Sequence, residues 1–151
     1  MANTQAMCTS FKGEILSGIH ALGTTVIRAG TGADTLKAAL YLASATVNAS
    51  TTAYSATGEV SGSGYSAGGV TVSNATAPTS TGTTAFYTPS ASLTYSAVTL
   101  TTAFDAVLIY NSTQADKAVA VYTFGSQTVT AGNFILTMPT NDASTALLRI
   151  A

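Results

Sequence analysis

The sequence predicts an all-β protein, a β-sandwich of jelly-roll kind with one short helix at its N-terminus. Three observations carry this. Apolar residues recur at helical spacing only once, near the N-terminus. The rest of the chain is cut into short segments rich in Val, Thr, Tyr, Phe, Leu and Ile, separated by Gly, Pro, Asn and Ser, which is the pattern of strands and turns. Connections are short, and about eight or more such strands in 151 residues fill a two-sheet sandwich. A chain of this length is one domain's worth, and folding buries roughly 70% of its unfolded surface, so neither metal nor disulfide is needed to hold it. Residues 1–23 read as an N-terminal arm and short helix, and residues 24–151 as a single β-sandwich domain.

Taken in order, the helix rests on Phe11, Ile15, Ile19 and Leu22, with Thr9 or Ser10 as N-cap and Gly23 just past the end. Gly13 and Gly18 weaken it. The uncharged segment before Ser10 reads as an arm that adds little to monomer stability and reaches a neighbouring subunit. Strands are expected at 35–42, 59–60, 69–73, 84–87, 92–100, 105–110, 118–124, 127–129, 134–138 and 146–150. Successive strand side chains point to opposite faces, so Leu93, Tyr95 and Ala97 should oppose Thr94, Ser96 and Val98, and Phe134, Leu136 and Met138 should oppose Ile135 and Thr137. Residues 106–110 and 118–122 are apolar on both faces, as expected in the middle of a sandwich or under a neighbouring subunit. Gly125-Ser126 and Ala131-Gly132-Asn133 read as tight hairpins. Between Thr51 and Gly82 the chain is mostly Gly, Ser, Thr and Ala. Because Tyr54 and Tyr65 stand between glycines, an ordered loop pinned by tyrosine packing and hydroxyl hydrogen bonds is preferred over a mobile tip.

Hydrophobic residues make up 46% of the chain and charged residues only 7%, against a usual charged share of about 25%. The combination is the reverse of a disordered chain, so the surface must be coated by hydroxyls, amides and small apolar groups. The five basic residues, Lys12, Arg28, Lys37, Lys117 and Arg149, are scattered, which argues against a nucleic-acid partner. The apolar runs are far shorter than the roughly 20 residues of a spanning helix, so no membrane association is expected. No basic segment followed by an apolar stretch opens the chain, and Cys8 is the single cysteine, which fits synthesis in a reducing cytoplasm.

Residues able to do chemistry are few. Cys8 and His20 are the one nucleophile and base pair to consider, and twelve positions on a continuous helix would set them roughly 18 Å apart. One His and one Cys do not make a zinc site, and no cofactor is expected. Of the six carboxylates, Asp34, Asp116 and Asp142 lie beside turn-forming residues. Glu59 lies among glycines and tyrosines and reads as a buried or interface carboxylate paired with Arg28, Lys37 or Arg149. Asn48, Asn74 and Asn111 open glycosylation triplets that a Ser/Thr-rich chain produces by chance. These readings make the chain a non-catalytic assembly protein, with Tyr54, Glu59, Tyr65 and Phe11 as candidate protein contacts. A carbohydrate-binding module is the less favoured alternative, since there is no Trp.

Several stretches together resemble small virion structural proteins of tailed bacteriophages. They are residues 8–20, beginning Cys-Thr-Ser-Phe, the segment 36–41, the Gly/Tyr-rich segment 53–69, and residues 105–113, 118–125, 136–142 and 146–151. The resemblance spans most of the chain but consists of scaffold motifs, not chemical signatures. It implies a capsid cement or decoration protein, with the major capsid protein and copies of itself as partners. The expected form is a symmetric dimer or trimer on the capsid surface, with a tail or fibre component as the alternative.

Overall fold

Two antiparallel sheets are arranged around one long hairpin. The computed structural model describes residues 3–16, 18–22, 32–73 and 76–151. Ala6–Met7 (β1) leads into the helix Thr9–Leu16 (α1). Then follow Leu36–Leu42 (β2), Val70–Thr71 (β3), Thr79–Thr81 (β4), Thr84–Tyr87 (β5), Leu93–Asn111 (β6), Lys117–Leu136 (β7) and Leu148–Ile150 (β8). One sheet has the order β1-β7-β6-β2-β3 and the other β4-β5-β8. The expected all-β sandwich with one short N-terminal helix is therefore what the chain forms.

The helix ends at Leu16, not Leu22. Gly18 takes a φ of +66°, its N–H bonds to the Ile15 carbonyl, and the Ile19 N–H reaches back to the Glu14 carbonyl. That pair of bonds is the Schellman closure, so Gly18 is the stop signal and the apolar spacing at Ile19 and Leu22 continues without a helix.

The five strands expected between residues 92 and 138 are two, of 19 and 20 residues. Gly125-Ser126 and Ala131-Gly132-Asn133 are not hairpins but irregularities inside β7. Pairs at Leu93–Tyr95 and at Ala106–Ile109 share one register, and the shifts between them cancel because residues added to one strand are offset by residues added to the other. Such bulges bend and twist a strand without ending it. Ala97 and Ala131 sit there with φ of +52° and +47°, and the Asn133 and Thr99 side chains accept their N–H groups. The bulge at Ala97 reverses the alternation: Leu93 and Tyr95 are buried, but the next inward residues are Val98 and Leu100, while Ala97 is exposed. The true hairpin turn follows Asn111, whose Oδ1 accepts the N–H groups of Thr113 and Gln114.

These bulges let the hairpin fold back on itself. The Tyr95 hydroxyl donates to the Ala38 carbonyl at 2.9 Å, and Ala38 pairs with Ile109, fourteen residues beyond Tyr95 on the same strand. A straight strand would hold those positions roughly 46 Å apart, at about 3.3 Å per residue. Phe104, Phe124 and Phe134 meet at the bend with centroids 4.9 to 6.0 Å apart. Of the segments apolar on both faces, residues 106–110 and 118–121 are buried within the chain itself, and Tyr122 is half-buried.

Residues 3–8 are not a free arm. Asn3 donates to Asp105 Oδ1 and the Leu42 carbonyl and accepts from the Val47 N–H. β1 pairs with β7 at Val121 and Ala120, and Cys8 is completely buried. An exposed arm would leave that apolar surface and those polar groups uncovered, so the segment is tied down by its own sheet.

Candidate functional site

Sequence-derived candidates Tyr54, Glu59 and Tyr65 converge on one point, and the loop that carries them is ordered. Loop residues 51–69 cover the side of β2 that its short pairing with β3 leaves open: Val60 N–H bonds to the Leu40 carbonyl and Leu42 N–H to the Gly58 carbonyl. Glu59 is 8% exposed. Its carboxylate accepts the Tyr54 hydroxyl at 2.6 Å, the Tyr65 hydroxyl at 2.7 Å and the Gly68 N–H at 2.8 Å. Tyr65 in turn accepts the Leu40 N–H at 3.0 Å, so one hydroxyl closes an open edge donor and satisfies the carboxylate. Tyr54 stacks on Tyr110 at 4.7 Å and Tyr65 on Tyr95 at 6.0 Å, while the Tyr110 hydroxyl donates to the Gly68 carbonyl.

Glycine is required where the loop touches the sheet. Gly64 (φ +77°) lies against the Ala97 carbonyl and Gly69 (φ +71°) against the Ala38 carbonyl, so a Cβ at either would collide with backbone. Burial and the nearby carboxylate push the Tyr54 and Tyr65 hydroxyls far above the ordinary value of 10. Both therefore remain proton donors to Glu59. The expected pairing of Glu59 with Lys37 or Arg149 does not occur: hydroxyls and an N–H satisfy the carboxylate, and Arg149 instead donates to the Ala143 carbonyl. Arg28 lies outside the described residues.

A second constellation was not legible in the sequence. His20 Nε2 donates to Glu14 Oε2 at 2.8 Å, and Lys117 Nζ donates to Glu14 Oε1 at 2.6 Å. His20 Nδ1 faces Asn111 Nδ2 at 2.9 Å, and that amide also donates to Asp34 Oδ2, which takes the Ala21 N–H as well. Asn111 Oδ1 is committed to the Thr113 and Gln114 N–H groups, so its NH2 must face the imidazole, Nδ1 must accept, and Nε2 carries the proton. Burial pushes the Glu14 carboxyl up, but the hydrogen bonds from Lys117 and His20 and the Lys117 charge outweigh it and hold it below its ordinary range.

A Glu–His pair is two of the three members of a nucleophile-activating triad. Here both ring nitrogens are occupied and the His20 side chain is 0% exposed, so this geometry fastens α1 to the turn between β6 and β7 and offers no base to solvent. Cys8 Sγ points to the Asn48 carbonyl, and burial, with Glu14 nearby, pushes its thiol up to about 11. The helix does not run through both Cys8 and His20, so the spacing argument from one continuous helix does not apply; their separate partners occupy them instead.

Phe11, the fourth candidate, is completely buried and packs edge-on to His20 at 4.7 Å, which removes it from any outward contact. Asp142 does form a turn, accepting the Ser144 and Thr145 N–H groups. Asn111 is buried, and Asn74 lies outside the described residues. Among the described residues no group of three His, Cys, Asp or Glu side chains is placed to hold a metal, and no helix is long and apolar enough to cross a membrane. A hollow of about 450 Å³ is an open groove between β1, Tyr122 and residues 145–149. No family model, curated protein or solved structure matches the chain.

Proposed function

We propose that this protein is a non-catalytic structural component of a bacteriophage virion, a cement or decoration protein that binds the assembled capsid and strengthens contacts between capsomers. The observation that carries the reading is where the few charges go. Glu14, Asp34 and Asp105 are used as hydrogen-bond acceptors between distant parts of the chain, and Glu59 as the acceptor that gathers its own loop. Residues 60–104 and 118–141 contain no charged residue at all, and they make up almost half the chain. A surface of hydroxyls and small apolar groups loses little desolvation energy when another protein covers it, whereas enzymes and sugar-binding modules need accessible polar groups converging on a cleft. The resemblance to small virion proteins of tailed phages supports the same class. Binding only the assembled shell would stabilise it by mass action.

Fractionating purified particles into heads and tails, and quantifying this chain in each, tests the reading. Many copies on heads, with density on the outer shell by cryo-microscopy, is the expected result. Its presence only in tails would replace cement with a tail component, and its absence from particles would end the virion reading.

A further inference from the structure

An open strand edge exposes a row of N–H and C=O groups, and folded proteins blunt such edges with short strands, charges, proline or bulges. Four edge strands here are blunted by length: β1 and β3 have two residues each, β4 and β8 three. The outer edge of β7 is different. β1 covers it only at Ala120 and Val121, and among the described residues nothing pairs with it from Thr123 to Leu136. This stretch has no proline, and no charge occurs anywhere from residue 118 to 141. Ile135, at 53% exposure, stands on it as one of the two large apolar side chains most open to solvent among the described residues. Bulges are its one protective device, and the part from Phe134 to Leu136 lies beyond them.

We infer that the outer edge of β7 between Thr123 and Leu136 is a strand-addition site, and that its occupant is the same edge of a second copy of this chain. The complement of an open edge is another extended backbone. In a two-fold pairing the strip faces itself, so any charge within it would approach its own image near the axis. A strip with no charge over residues 118–141 allows every register of self-pairing without like-charge contact. Ile135 would gain a covering neighbour. This inference deepens the assembly reading by naming its self-contact; it does not depend on which particle carries the protein.

The test is sedimentation of the full chain over a wide concentration range, with amide hydrogen exchange on the same samples. Twice the monomer mass at high concentration is expected, with protection of amides in 123–136 rising in parallel. The double variant Thr130→Lys/Ile135→Lys, both positions being exposed, should weaken association at least about tenfold with an unchanged circular dichroism spectrum, while Thr79→Lys on β4 should leave it intact. If the double variant does not fold, concentration-dependent protection in the unmodified chain decides alone. A monomer at all concentrations, association unchanged by the edge variants, or protection of 123–136 that arises only when phage particles are added would overturn self-pairing. Head and tail fractionation is unaffected by any of these results, so failure of this inference and failure of the virion reading are distinguishable.

Discussion

Replacing Tyr65 and Tyr54 separately by Phe tests whether the Glu59 knot holds the loop. Both substitutions keep the ring, and with it the stacking on Tyr95 and Tyr110, so the comparison isolates the hydroxyls. Each removes one hydrogen bond to a carboxylate, worth about 1.5–3 kcal/mol. Only Tyr65→Phe also strands the Leu40 N–H, on a completely buried residue, which adds a desolvation cost of about 1–3 kcal/mol. Tyr54 is half-buried, which puts its loss at the lower end, ~1.5 kcal/mol, while Tyr65→Phe should lose ~4 kcal/mol. Urea unfolding with linear extrapolation measures both, provided the slopes are equal. Equal losses, or a larger loss for Tyr54→Phe, would refute the dual role assigned to the Tyr65 hydroxyl.

Further outcomes concern both ends of the pH range and the N-terminal segment. All seven tyrosines are pushed up by burial, Tyr41, Tyr87 and Tyr110 to about 12. Their folded values lie above the unfolded value of 10, so stability should be complete below pH 10 and fall as pH rises through about 12. Phenolate absorbance should rise together with loss of circular dichroism, and separate titration near pH 10 with the fold intact would contradict this. At the acid end Glu14 and Asp142 are held below their ordinary 4.5 and 3.8, so their contribution is present above those values and is lost as pH falls further. Deleting residues 1–8 removes the Asn3 bonds, the β1 pairing and the buried Cys8, and should cost ~4 kcal/mol or more in a urea titration; a loss below ~1 kcal/mol would restore the free-arm reading.

Strand content and much of the burial pattern were legible because they depend on local periodicity. The two-faced apolar segments around Leu108 and Val119, the alternation at Phe134, Leu136 and Met138, and the ordering of the loop around Tyr54 and Tyr65 all follow from residues close in sequence. Strand continuity was not legible. Gly125-Ser126 and Ala131-Gly132-Asn133 have the composition of turns, and whether they reverse the chain or bulge depends on the partner strand, here on Asn133 and Thr99 side chains capping amides across the ladder. The helix end was legible in principle, since Gly18 is a strong stop, but the apolar spacing of Ile19 and Leu22 masked it. The network joining Glu14, His20, Asp34, Asn111 and Lys117 could not be read at all, because it spans about a hundred residues and has no spacing signature.

The sparse charges and the uncharged surface have one cause. A domain with so few ionisable groups has little choice about which junctions they serve, and this chain spends four of its six carboxylates on them: Asp105 on the N-terminal segment, Glu14 on the helix, Asp34 on the Ala21 N–H and the β6–β7 turn, Glu59 on the loop. Each carboxylate accepts from more than one donor or from groups far apart in sequence, so each fixes an element that lacks enough apolar surface to dock by burial alone. Residues 3–8, the eight-residue helix and the glycine-rich loop are such elements. Once the charges are committed there, none remain for the distal half of the hairpin, where charge would ordinarily keep a long edge monomeric. The same allocation that stiffens the monomer thus leaves the β7 edge open to another strand, and the two properties should be separable by mutation: adding charge at Ile135 changes association, while removing it at Glu59 changes only stability.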